Sequence, residues 1–258
     1  MNAVPALAGR TALVTGGGSG LGRAMARHLG LAGCRVIAVG RDTAKLASVA
    51  KEFGGLGLEI RTAVCDVADP ESVSALRDEL AGETVSILVN NAGVGGPVAP
   101  ITDIEPEDWD AVFSSNVRSI YLMCRAFLPP MYERGDGDVV NLASVTGKRP
   151  LIRRTPYAAS KMAVLGLTRT LAFEAGPRGV RVNSLSPGPV RGERMARNFR
   201  LEAQATGGTV EDAERAFVSR AALERLVEED EVGAGLVAML QIPGMCGADI
   251  DLSAGMIA

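Results

Sequence analysis

Residues 15–24, TGGGSGLGRA, join a short apolar run to a segment of helical period through a glycine-rich turn. Glycine permits a tight turn and lets backbone N–H groups approach a ligand, while the start of a helix favours a negative charge. A strand, such a turn and a helix in this order predict a binding site for the pyrophosphate of a dinucleotide. A triphosphate-binding loop is excluded, because it would end in Gly-Lys-Ser/Thr and this turn ends in Gly22-Arg23-Ala24. The predicted cofactor contacts in the turn are Gly16, Gly18, Ser19, Gly20, Leu21 and Gly22.

The remainder of the chain continues the alternation of strand and helix. Almost uninterrupted apolar runs predict strands at 11–16, 35–40, 58–66, 85–91, 138–144, 181–188 and 248–253. Segments of helical period predict helices at 20–32, 43–53, 70–81, 106–133, 156–176 and 229–240. Apolar runs without polar alternation indicate strands covered on both faces, as in a parallel sheet. We therefore expect one α/β domain over residues 1–258, a Rossmann-type doubly wound fold with a seven-stranded, mainly parallel sheet and helices on both faces.

One segment interrupts this alternation. Residues 189–222 are polar, charged and broken by Gly207-Gly208. Insertions of this length in a compact domain usually serve as lids or binding loops. We therefore expect residues 189–222 to form a substrate lid within the domain.

The composition limits the class of protein and its compartment. Hydrophobic residues make up 47% of the 258 residues and charged residues 22%, as in globular domains with a full core. The net charge of -3 gives no support for nucleic-acid binding. The N-terminus lacks the pattern of a signal peptide and no apolar run is long enough to cross a bilayer, so we expect a cytoplasmic protein with no membrane partner. The four cysteines contain no C-x-x-C pair and are expected to be buried thiols: Cys34, Cys65, Cys124 and Cys246.

The end of the second predicted strand bears on which dinucleotide binds. A site for an unphosphorylated ribose needs an acidic residue about 20 residues after the glycine turn, to hold the 2′-hydroxyl. This chain has Gly40 at that place, followed by Arg41, and a guanidinium can pair with a 2′-phosphate. NADP(H) is therefore favoured, and NAD(H) stays open because Asp42 follows, although Asp42 is expected to cap the next helix. Asp66, which closes the third strand, is expected to accept a hydrogen bond from the adenine amino group.

A second stretch, TPYAASKMAV at 155–164, indicates catalysis. Tyr157 and Lys161 share one face of the predicted helix, because residues four apart are neighbours there. A phenol with its ordinary pKa of about 10 is a poor base, but a neighbouring ammonium lowers that pKa. His28 is the only histidine, so a Ser-His-Asp hydrolase and a histidine-based metal site lack the residues they need, and no metal is expected. Tyr157 is therefore the predicted agent of proton transfer.

The chain as a whole resembles a known family. The motifs that carry the likeness are TGGGSGLG, NNAG at 90–93, Asn116 in SSNV, Ser144 in NLAS, YAASK at 157–161 and SPG at 186–188. In this order they are similar to those of the short-chain dehydrogenase/reductase family, in its single-domain branch of about 250 residues. Ser144 stands thirteen residues before Tyr157, which suits a serine at a strand end that faces a tyrosine on a helix.

The resemblance implies an NAD(P)(H)-dependent enzyme that interconverts a carbonyl and a secondary alcohol by hydride transfer. Tyr157 would donate a proton to the carbonyl oxygen or remove one from the alcohol, and Ser144 would hydrogen-bond that oxygen. Lys161 would lower the tyrosine pKa and bind the nicotinamide ribose, and Asn116 would hold a water that links the lysine to solvent. The further cofactor contacts that the resemblance implies are Val67, Asn91, Ala92, Gly93, Tyr157, Lys161, Pro187, Gly188 and Val190.

The substrate is left open by the sequence. The segments expected to select it are residues 94–99, residues 145–156 and the lid, 189–222. The last two are basic, through Lys148, Arg149, Arg153 and Arg154 in one and Arg191, Arg194, Arg197 and Arg200 in the other. These groups would attract an anionic substrate or an acidic carrier protein, unless they are solvated or paired locally, for example with Glu193 and Glu202. A small-molecule carbonyl or alcohol is expected, with a 3-oxoacyl-carrier-protein reductase and a non-catalytic cofactor sensor as alternatives.

The resemblance also implies an oligomer. The predicted helices at 106–133 and 156–176 would form a four-helix contact between two copies of the chain. A homotetramer is expected, with a dimer as the alternative.

Overall fold

The computed structural model describes residues 7–257, apart from the side chains of Arg194 and Ala205. Its strands are β1 Thr11–Thr15, β2 Arg35–Gly40, β3 Ile60–Val64, β4 Val85–Asn90, β5 Gly137–Leu142, β6 Val180–Pro187 and β7 Asp249–Leu252. They form a seven-stranded sheet in the order β3-β2-β1-β4-β5-β6-β7, and every neighbouring pair is parallel. The predicted fold class is therefore confirmed.

The helices alternate with the strands as the sequence predicts. They are α1 Gly20–Leu31, α2 Thr43–Gly55, α3 Pro70–Glu79, α4 Pro106–Phe113, α5 Ser119–Arg134, α6 Thr155–Ala175, α7 Glu193–Thr206, α8 Val210–Val218 and α9 Glu229–Leu240. Shorter 3-10 turns span Ile101–Asp103, Val145–Gly147 and Gly176–Arg178, and a π-helical turn spans Ser114–Arg118. Within residues 7–257, no helix combines the length and the apolar character needed to cross a bilayer.

Helices cover both faces of the sheet. One core lies between the sheet and α3, α5 and α6, and includes Phe127 and Val164. The other lies between the sheet and α1, α2 and α9, and includes Phe53 and Leu236. Strands β1, β4 and β5 bury every residue. Burial on both faces explains why these strands occur in the sequence as unbroken apolar runs.

The helix predicted at 106–133 is interrupted. It consists of α4, the π-helical turn and α5 in succession, and Asn116 lies in the π-helical turn. A π-helical turn contains one more residue per turn than an α-helix and therefore displaces the side chains within it from the regular helical register. The hydrophobic period of the sequence does not record this single extra residue. Elsewhere the predicted elements of the alternating fold end within two residues of the observed ones.

The insertion at 189–222 is helical rather than irregular. Gly207, with a φ of 71°, ends α7, and the Thr209 hydroxyl accepts the N–H of Asp212 at 3.1 Å to begin α8. The rings of Phe199 on α7 and Phe217 on α8 meet edge to face, with centroids 5.7 Å apart. The two helices therefore form a small pair, connected to the sheet on either side through Val190 and Val227, which form an isolated parallel bridge.

The prediction of four buried thiols is wrong at one position. Cys34, Cys65 and Cys124 are buried, but Cys246 is exposed because it lies in the surface connection between α9 and β7. Burial raises the pKa of Cys34 to about 11 and that of Cys124 to about 12, so both stay protonated at neutral pH. Among the residues that the structure describes, no group of three or more His, Cys, Asp or Glu side chains is placed to hold a metal ion.

Candidate active site

The glycine-rich turn folds back on itself between β1 and α1. A β-carbon on Gly16, whose φ is 67°, would lie 2.7 Å from Nδ2 of Asn91. A β-carbon on Gly22 would lie 2.1 Å from the Gly16 carbonyl oxygen and 2.6 Å from the same Asn91 nitrogen. Such approaches are not possible, so the turn requires glycine at both positions. The turn therefore holds the start of α1 beside Asn91, just beyond the end of β4.

The start of α1 has no capping side chain among the described residues, and the Glu229 carboxylate of α9 lies 3.7 Å from where a β-carbon on Gly20 would be. Within residues 7–257, Ser19 at the N-cap makes no side-chain cap hydrogen bond, and the first turn contains no acidic residue. Helices α2 and α3, by contrast, are capped: the side chains of Asp42 and Asp69 accept hydrogen bonds from backbone N–H groups in the first turn of the helix that follows each. The cap predicted for Asp42 is therefore confirmed. Uncapped N–H groups at a helix N-terminus bind phosphate well. The turn from Gly18 to Leu21 therefore fits a dinucleotide pyrophosphate.

Thr15, the last residue of β1, connects the glycine turn to the NNAG segment. Its Oγ1 accepts the N–H of Asn91 at 2.9 Å and that of Ala92 at 3.0 Å, and donates to the Val89 carbonyl oxygen at 3.3 Å. In return, Asn91 Nδ2 donates to the Thr15 carbonyl oxygen at 2.8 Å. Thr15 is not among the predicted site residues. Its hydroxyl at the strand end, directly before the glycines, is the sequence signal that identifies it.

Arg41 and Asp66 lie together beyond the ends of β2 and β3. The Arg41 side chain is 71% exposed, and its Nη1 lies 3.4 Å from Asp66 Oδ2. A β-carbon on Gly40 would meet nothing nearer than the Leu46 side chain, at 3.7 Å. Val67 follows Asp66 and is buried. This end of the sheet therefore presents an exposed cation, paired with Asp66, and room around Gly40, which stands where an acidic residue would hold a 2′-hydroxyl.

Tyr157 and Lys161 lie together on α6, as their spacing predicts. The Lys161 Nζ is 5.8 Å from the centroid of the Tyr157 ring. Lys161 is only 6% exposed, and its Nζ donates a 2.6 Å hydrogen bond to the carbonyl oxygen of Leu142 at the end of β5. The lysine is therefore held against the sheet with its ammonium beside the phenol, where a positive charge favours the phenolate.

A second cation reaches the same ring. Arg154 is the N-cap of α6, is 9% exposed, and has its guanidinium carbon 5.6 Å from the centroid of Tyr157. A β-carbon on Gly95 would lie 2.7 Å from Arg154 Nη2, so the guanidinium fits against the backbone of the segment that follows β4. The sequence places Arg154 only among the basic residues of a loop. Its burial depends on Gly95, which is distant in the chain.

Asn116 joins this segment to α6. Its Oδ1 accepts the N–H of Val94 at 2.7 Å, and its Nδ2 donates to the Val94 carbonyl oxygen and to Ser160 Oγ, both at 3.0 Å. Ser160 Oγ donates to the Tyr157 carbonyl oxygen at 2.8 Å. The Asn116 side chain is therefore occupied by protein groups. Ser160, which the sequence leaves without a role, is the link between Asn116 and the helical turn that carries Tyr157.

Ser144 follows β5 and is 8% exposed. It begins the turn Val145–Gly147, and its Oγ accepts the N–H of Thr146 at 3.2 Å. A hydroxyl that accepts one bond keeps its proton to donate, so Ser144 can still bind a substrate oxygen. A β-carbon on Gly147 would lie 2.9 Å from the Lys161 carbonyl carbon, which shows how closely this turn packs on α6.

The segment after β6 completes the edge of the sheet. Pro187 ends β6, and the N–H of Gly188 donates to the Leu252 carbonyl oxygen at 2.9 Å. A β-carbon on Gly188 would lie 2.7 Å from the Cα of Ser253, so this crossing of two backbones requires glycine. Val190 then forms its bridge to the residues before α9. The predicted site residues therefore gather at the carboxyl ends of the strands, where open α/β sheets bind ligands.

Most of the basic residues named from the sequence have local partners. Lys148 binds Asp249 and Asp251, Arg149 donates to the Met256 carbonyl oxygen, and Arg153 donates to the Val98 carbonyl oxygen. Arg191 binds Glu214 and Glu228, and Arg200 lies 3.7 Å from Glu193. The side chain of Arg194 lies outside the described part. These contacts favour the local pairing that the sequence left as one of two possibilities.

Comparison with known proteins extends over most of the chain. Residues 10–204 match the family model of the short chain dehydrogenases. D-threitol dehydrogenase of Mycolicibacterium smegmatis is 41% identical over 183 residues, which are 70% of this chain and 70% of that protein. A putative ketoacyl reductase of the granaticin polyketide synthase of Streptomyces violaceoruber is 38% identical over 229 residues, which are 86% of this chain and 83% of that protein.

Two solved structures are similar throughout. A variant of actinorhodin polyketide ketoreductase with NADPH has a TM-score of 0.91 and 30% identity, over 96% of this chain and 97% of that one. NAD+-bound xylitol dehydrogenase has a TM-score of 0.91 and 27% identity, over 97% of this chain and 100% of that one. The chain therefore belongs to the short-chain dehydrogenase/reductase family, as an oxidoreductase of CH–OH and C=O groups that uses a nicotinamide cofactor.

Proposed function

We propose that the protein interconverts a ketone or aldehyde and the corresponding alcohol with NADP(H), and that Tyr157 is its acid and base. The observation that supports this most strongly is the position of Lys161, whose buried ammonium lies 5.8 Å from the centroid of the Tyr157 ring. A buried cation at this distance stabilises a phenolate. Tyr157 can then exchange a proton near neutral pH, which an isolated phenol does poorly.

Each residue near the reacting oxygen has a separate task. In reduction, the Tyr157 hydroxyl gives its proton to the carbonyl oxygen; in oxidation, its phenolate takes the proton of the alcohol. The Ser144 hydroxyl donates a hydrogen bond to the same oxygen and stabilises the negative charge that develops on it. The bound nicotinamide supplies or accepts the hydride. Asn116 keeps α6 and the segment after β4 in place, and its part in a water relay to Lys161 would fall to its backbone, because its side chain is occupied.

The cofactor would lie along the carboxyl edge of the sheet. The proposed contacts, from pyrophosphate to nicotinamide, are Gly16, Gly18, Ser19, Gly20, Leu21, Gly22, Asn91, Ala92, Gly93, Lys161, Pro187, Gly188 and Val190. At the adenosine end, Asp66 and Val67 would border the adenine, and Arg41 would pair with a 2′-phosphate. The exposure of Arg41 and the room at Gly40 support NADP(H). The known structures include both an NADPH complex and an NAD+ complex, so both cofactors belong in the test.

The substrate is proposed to be a small secondary alcohol or its ketone, as in the relative named D-threitol dehydrogenase. A second candidate is a carrier-bound 3-oxoacyl group, because relatives named as ketoacyl reductases cover 86% and 90% of the chain. Most of the basic residues in segments 145–156 and 189–222 are paired locally, which favours the small alcohol or ketone over a carrier-bound substrate. The pair α7 and α8 is proposed to close over the substrate as a lid within a single domain of residues 1–258.

The direct test is a screen of polyols, ketones, aldehydes and a 3-oxoacyl thioester with NADP(H) and NAD(H), followed by the absorbance of the reduced nicotinamide. Turnover of one carbonyl–alcohol pair, faster with NADP(H), supports the proposal. Binding of the cofactor without turnover of any of these compounds would instead support a non-catalytic cofactor sensor.

We also propose that the protein is a cytoplasmic homotetramer. The outer faces of α5 and α6 form an apolar groove of about 560 Å³ lined by Tyr121, Leu128, Tyr132 and Leu171 among others, and Phe173 beside it is 86% exposed. A second copy of the two helices would cover this groove and the exposed Phe173. Light scattering tests this: a mass of four chains supports the tetramer, and a mass of two chains supports the dimer.

A further inference from the structure

Two buried cations lie near the ring of Tyr157. The Lys161 ammonium lies 5.8 Å from the ring centroid and the Arg154 guanidinium carbon lies 5.6 Å from it. Both side chains are almost fully buried, at 6% and 9% exposure. Lys161 belongs to the YAASK motif, which predicts its place beside Tyr157. Arg154 lies outside that motif, and only the structure shows that it lies near the same ring.

Arg154 is fixed in place by its surroundings. Its N–H donates to the Leu151 carbonyl oxygen at 3.3 Å, and its own carbonyl oxygen accepts the N–H of Ala158 at 2.9 Å in the first turn of α6. A β-carbon on Gly95 would lie 2.7 Å from Arg154 Nη2. The guanidinium therefore occupies space that is available only because residue 95 is glycine. The neighbouring Arg153 adopts a φ of 64°, and its carbonyl oxygen accepts the N–H of Ala99 at 3.0 Å. The loop before α6 is therefore held against the segment after β4.

A guanidinium in this place affects the protonation of the phenol. Burying a cation is costly unless negative charge or aromatic density lies near it. A neutral phenol offers the weak attraction of its ring, whereas a phenolate offers a full negative charge. Two cations near one ring also repel each other, and a negative charge on the phenolate oxygen attracts both and so offsets that repulsion. The phenolate is therefore more stable with both cations present than with either one alone.

We propose that Arg154 is a positioning residue that acts together with Lys161 to stabilise the phenolate of Tyr157. The proposal deepens the function given above and rests on Tyr157 as the acid and base. Arg154 itself remains ionised throughout, because a guanidinium does not lose its proton in proteins. It transfers nothing; the proton moves only between the Tyr157 oxygen and the oxygen of the substrate.

Other charged groups belong to the elements packed against α6. These are Lys148, which binds Asp249 and Asp251, Glu107, Asp108 and Asp110 on α4, Arg118 in the π-helical turn, Arg178 in the turn after α6, and Asp138 and Arg181, which pair near the amino ends of β5 and β6. Helix α6 itself carries Arg169 and Glu174. All of them are unchanged in the variants below. A change in the midpoint of the Tyr157 titration that depends on the charge at position 154 is therefore assigned to Arg154.

The test titrates Tyr157 directly and needs neither substrate nor cofactor. The chain has three tyrosines, so subtracting the tyrosinate absorbance of a Tyr157→Phe variant from that of the parent protein leaves the signal of Tyr157. The titration is repeated for Arg154→Gln and Arg154→Lys, each against its own Tyr157→Phe double variant. Arg153→Gln is the matched control, since Arg153 is the adjacent arginine and is exposed.

The midpoint of the Tyr157 titration should rise by about one pH unit in Arg154→Gln, because the phenolate loses a neighbouring cation. It should stay nearer the parent value in Arg154→Lys, which keeps the charge, and should not move in Arg153→Gln. In the oxidation direction, the acidic limb of kcat/KM against pH should move upward by the same amount. At a pH above both midpoints the Arg154→Gln variant should regain most of its activity, whereas a merely structural loss would persist at every pH.

Circular dichroism establishes that each variant is folded. Should Arg154→Gln fail to fold, Gly95→Ala serves in its place, because the added methyl group displaces the guanidinium while keeping the arginine; a smaller upward shift is expected. An unchanged Tyr157 midpoint in the folded variant overturns the proposal, even if the activity falls. The proposed function fails differently, through turnover that survives Tyr157→Phe, and the absorbance titration remains readable in that case.

Discussion

Gly147 lies so close to α6 that a β-carbon on it would come within 2.9 Å of the Lys161 carbonyl carbon and 3.0 Å of the Met162 nitrogen. The contacts are to backbone, which cannot rotate away as a side chain can. Gly147→Ala should therefore push the turn after Ser144 away from Lys161, at a cost of about 1–3 kcal/mol in the free energy of unfolding. Because this movement separates Ser144 from Tyr157, the two side chains proposed to contact the substrate oxygen, kcat/KM should also fall about tenfold or more. Urea unfolding and steady-state kinetics measure the two effects.

The control for this substitution is Gly54→Ala on α2, where a β-carbon would meet no atom of the described residues within 4 Å. Alanine is the better helix former, so Gly54→Ala should raise the free energy of unfolding by about 0.5–1 kcal/mol and leave kcat/KM unchanged. A Gly147→Ala protein as stable and as active as Gly54→Ala would contradict the close packing of the turn on α6.

Arg41 should determine the choice of cofactor. Arg41→Ala removes the cation proposed for the 2′-phosphate, so the KM for NADPH should rise about tenfold, as expected for loss of a charge-assisted hydrogen bond. The KM for NADH should change little. Gly40→Asp, which has room for its side chain, should lower the KM for NADH and raise that for NADPH. Equal effects of Arg41→Ala on both cofactors would refute the assignment.

The ion pair at the start of α9 should make the free energy of unfolding depend on pH. Arg225 binds the Glu231 carboxylate through two bonds of 2.7 Å, and this pairing lowers the pKa of Glu231 from 4.5 to about 2. A lowered folded-state pKa adds stability above the unfolded value and loses it as the pH falls through the folded one. Glu231→Gln should therefore be less stable than the parent at pH 7, by about 0.5–1 kcal/mol because the pair is partly exposed.

The difference between parent and Glu231→Gln should shrink as the pH falls from about 4.5 toward about 2, where the parent carboxylate takes up its proton. Urea unfolding at several pH values measures it. Glu202→Gln on the exposed face of α7 is the control and should match the parent at every pH. A stability difference that does not change with pH would show that the carboxylate charge at 231 is not responsible.

The α7–α8 pair should respond to the cofactor. Arg191 joins it to the start of α9 through Glu214 and Glu228, so its position is coupled to the segment proposed to contact the nicotinamide. NADPH should slow tryptic cleavage at the arginines of residues 189–222 several-fold. The exposed Lys51 in α2 serves as the internal reference. An identical cleavage pattern with and without NADPH would remove the support for a lid.

The sequence predicts the fold well because the fold depends on features that repeat over many residues. Unbroken apolar runs mark strands buried on both faces, and the alternation with helices leaves few topologies. The family motifs likewise predict which residues gather at the site: the glycine turn, NNAG, Ser144 and SPG lie at strand ends, and Tyr157 and Lys161 lie on α6, which packs against the sheet. The π-helical turn around Asn116 escapes prediction, since one extra residue per turn does not alter the hydrophobic period.

Contacts between distant segments are the part that the sequence does not carry. Ser160 and Arg154 are polar residues of ordinary appearance, and their roles depend on partners brought near by the fold: Asn116 and Gly95. The exposure of Cys246 depends in the same way on the path of the chain between α9 and β7. Local periodicity cannot supply this information, because such contacts join residues far apart in the sequence.

The role of Tyr157 is tested most directly by the turnover of Tyr157→Phe, since the substitution removes one hydroxyl and leaves the ring near Lys161 and Arg154. We expect kcat to fall by about a thousandfold, the range expected for loss of general acid–base catalysis, while the Kd for NADPH stays within about threefold of the parent value. Tyr121→Phe, on the outer face of α5, should keep full activity. A Tyr157→Phe protein with the kcat of the parent would contradict the central claim.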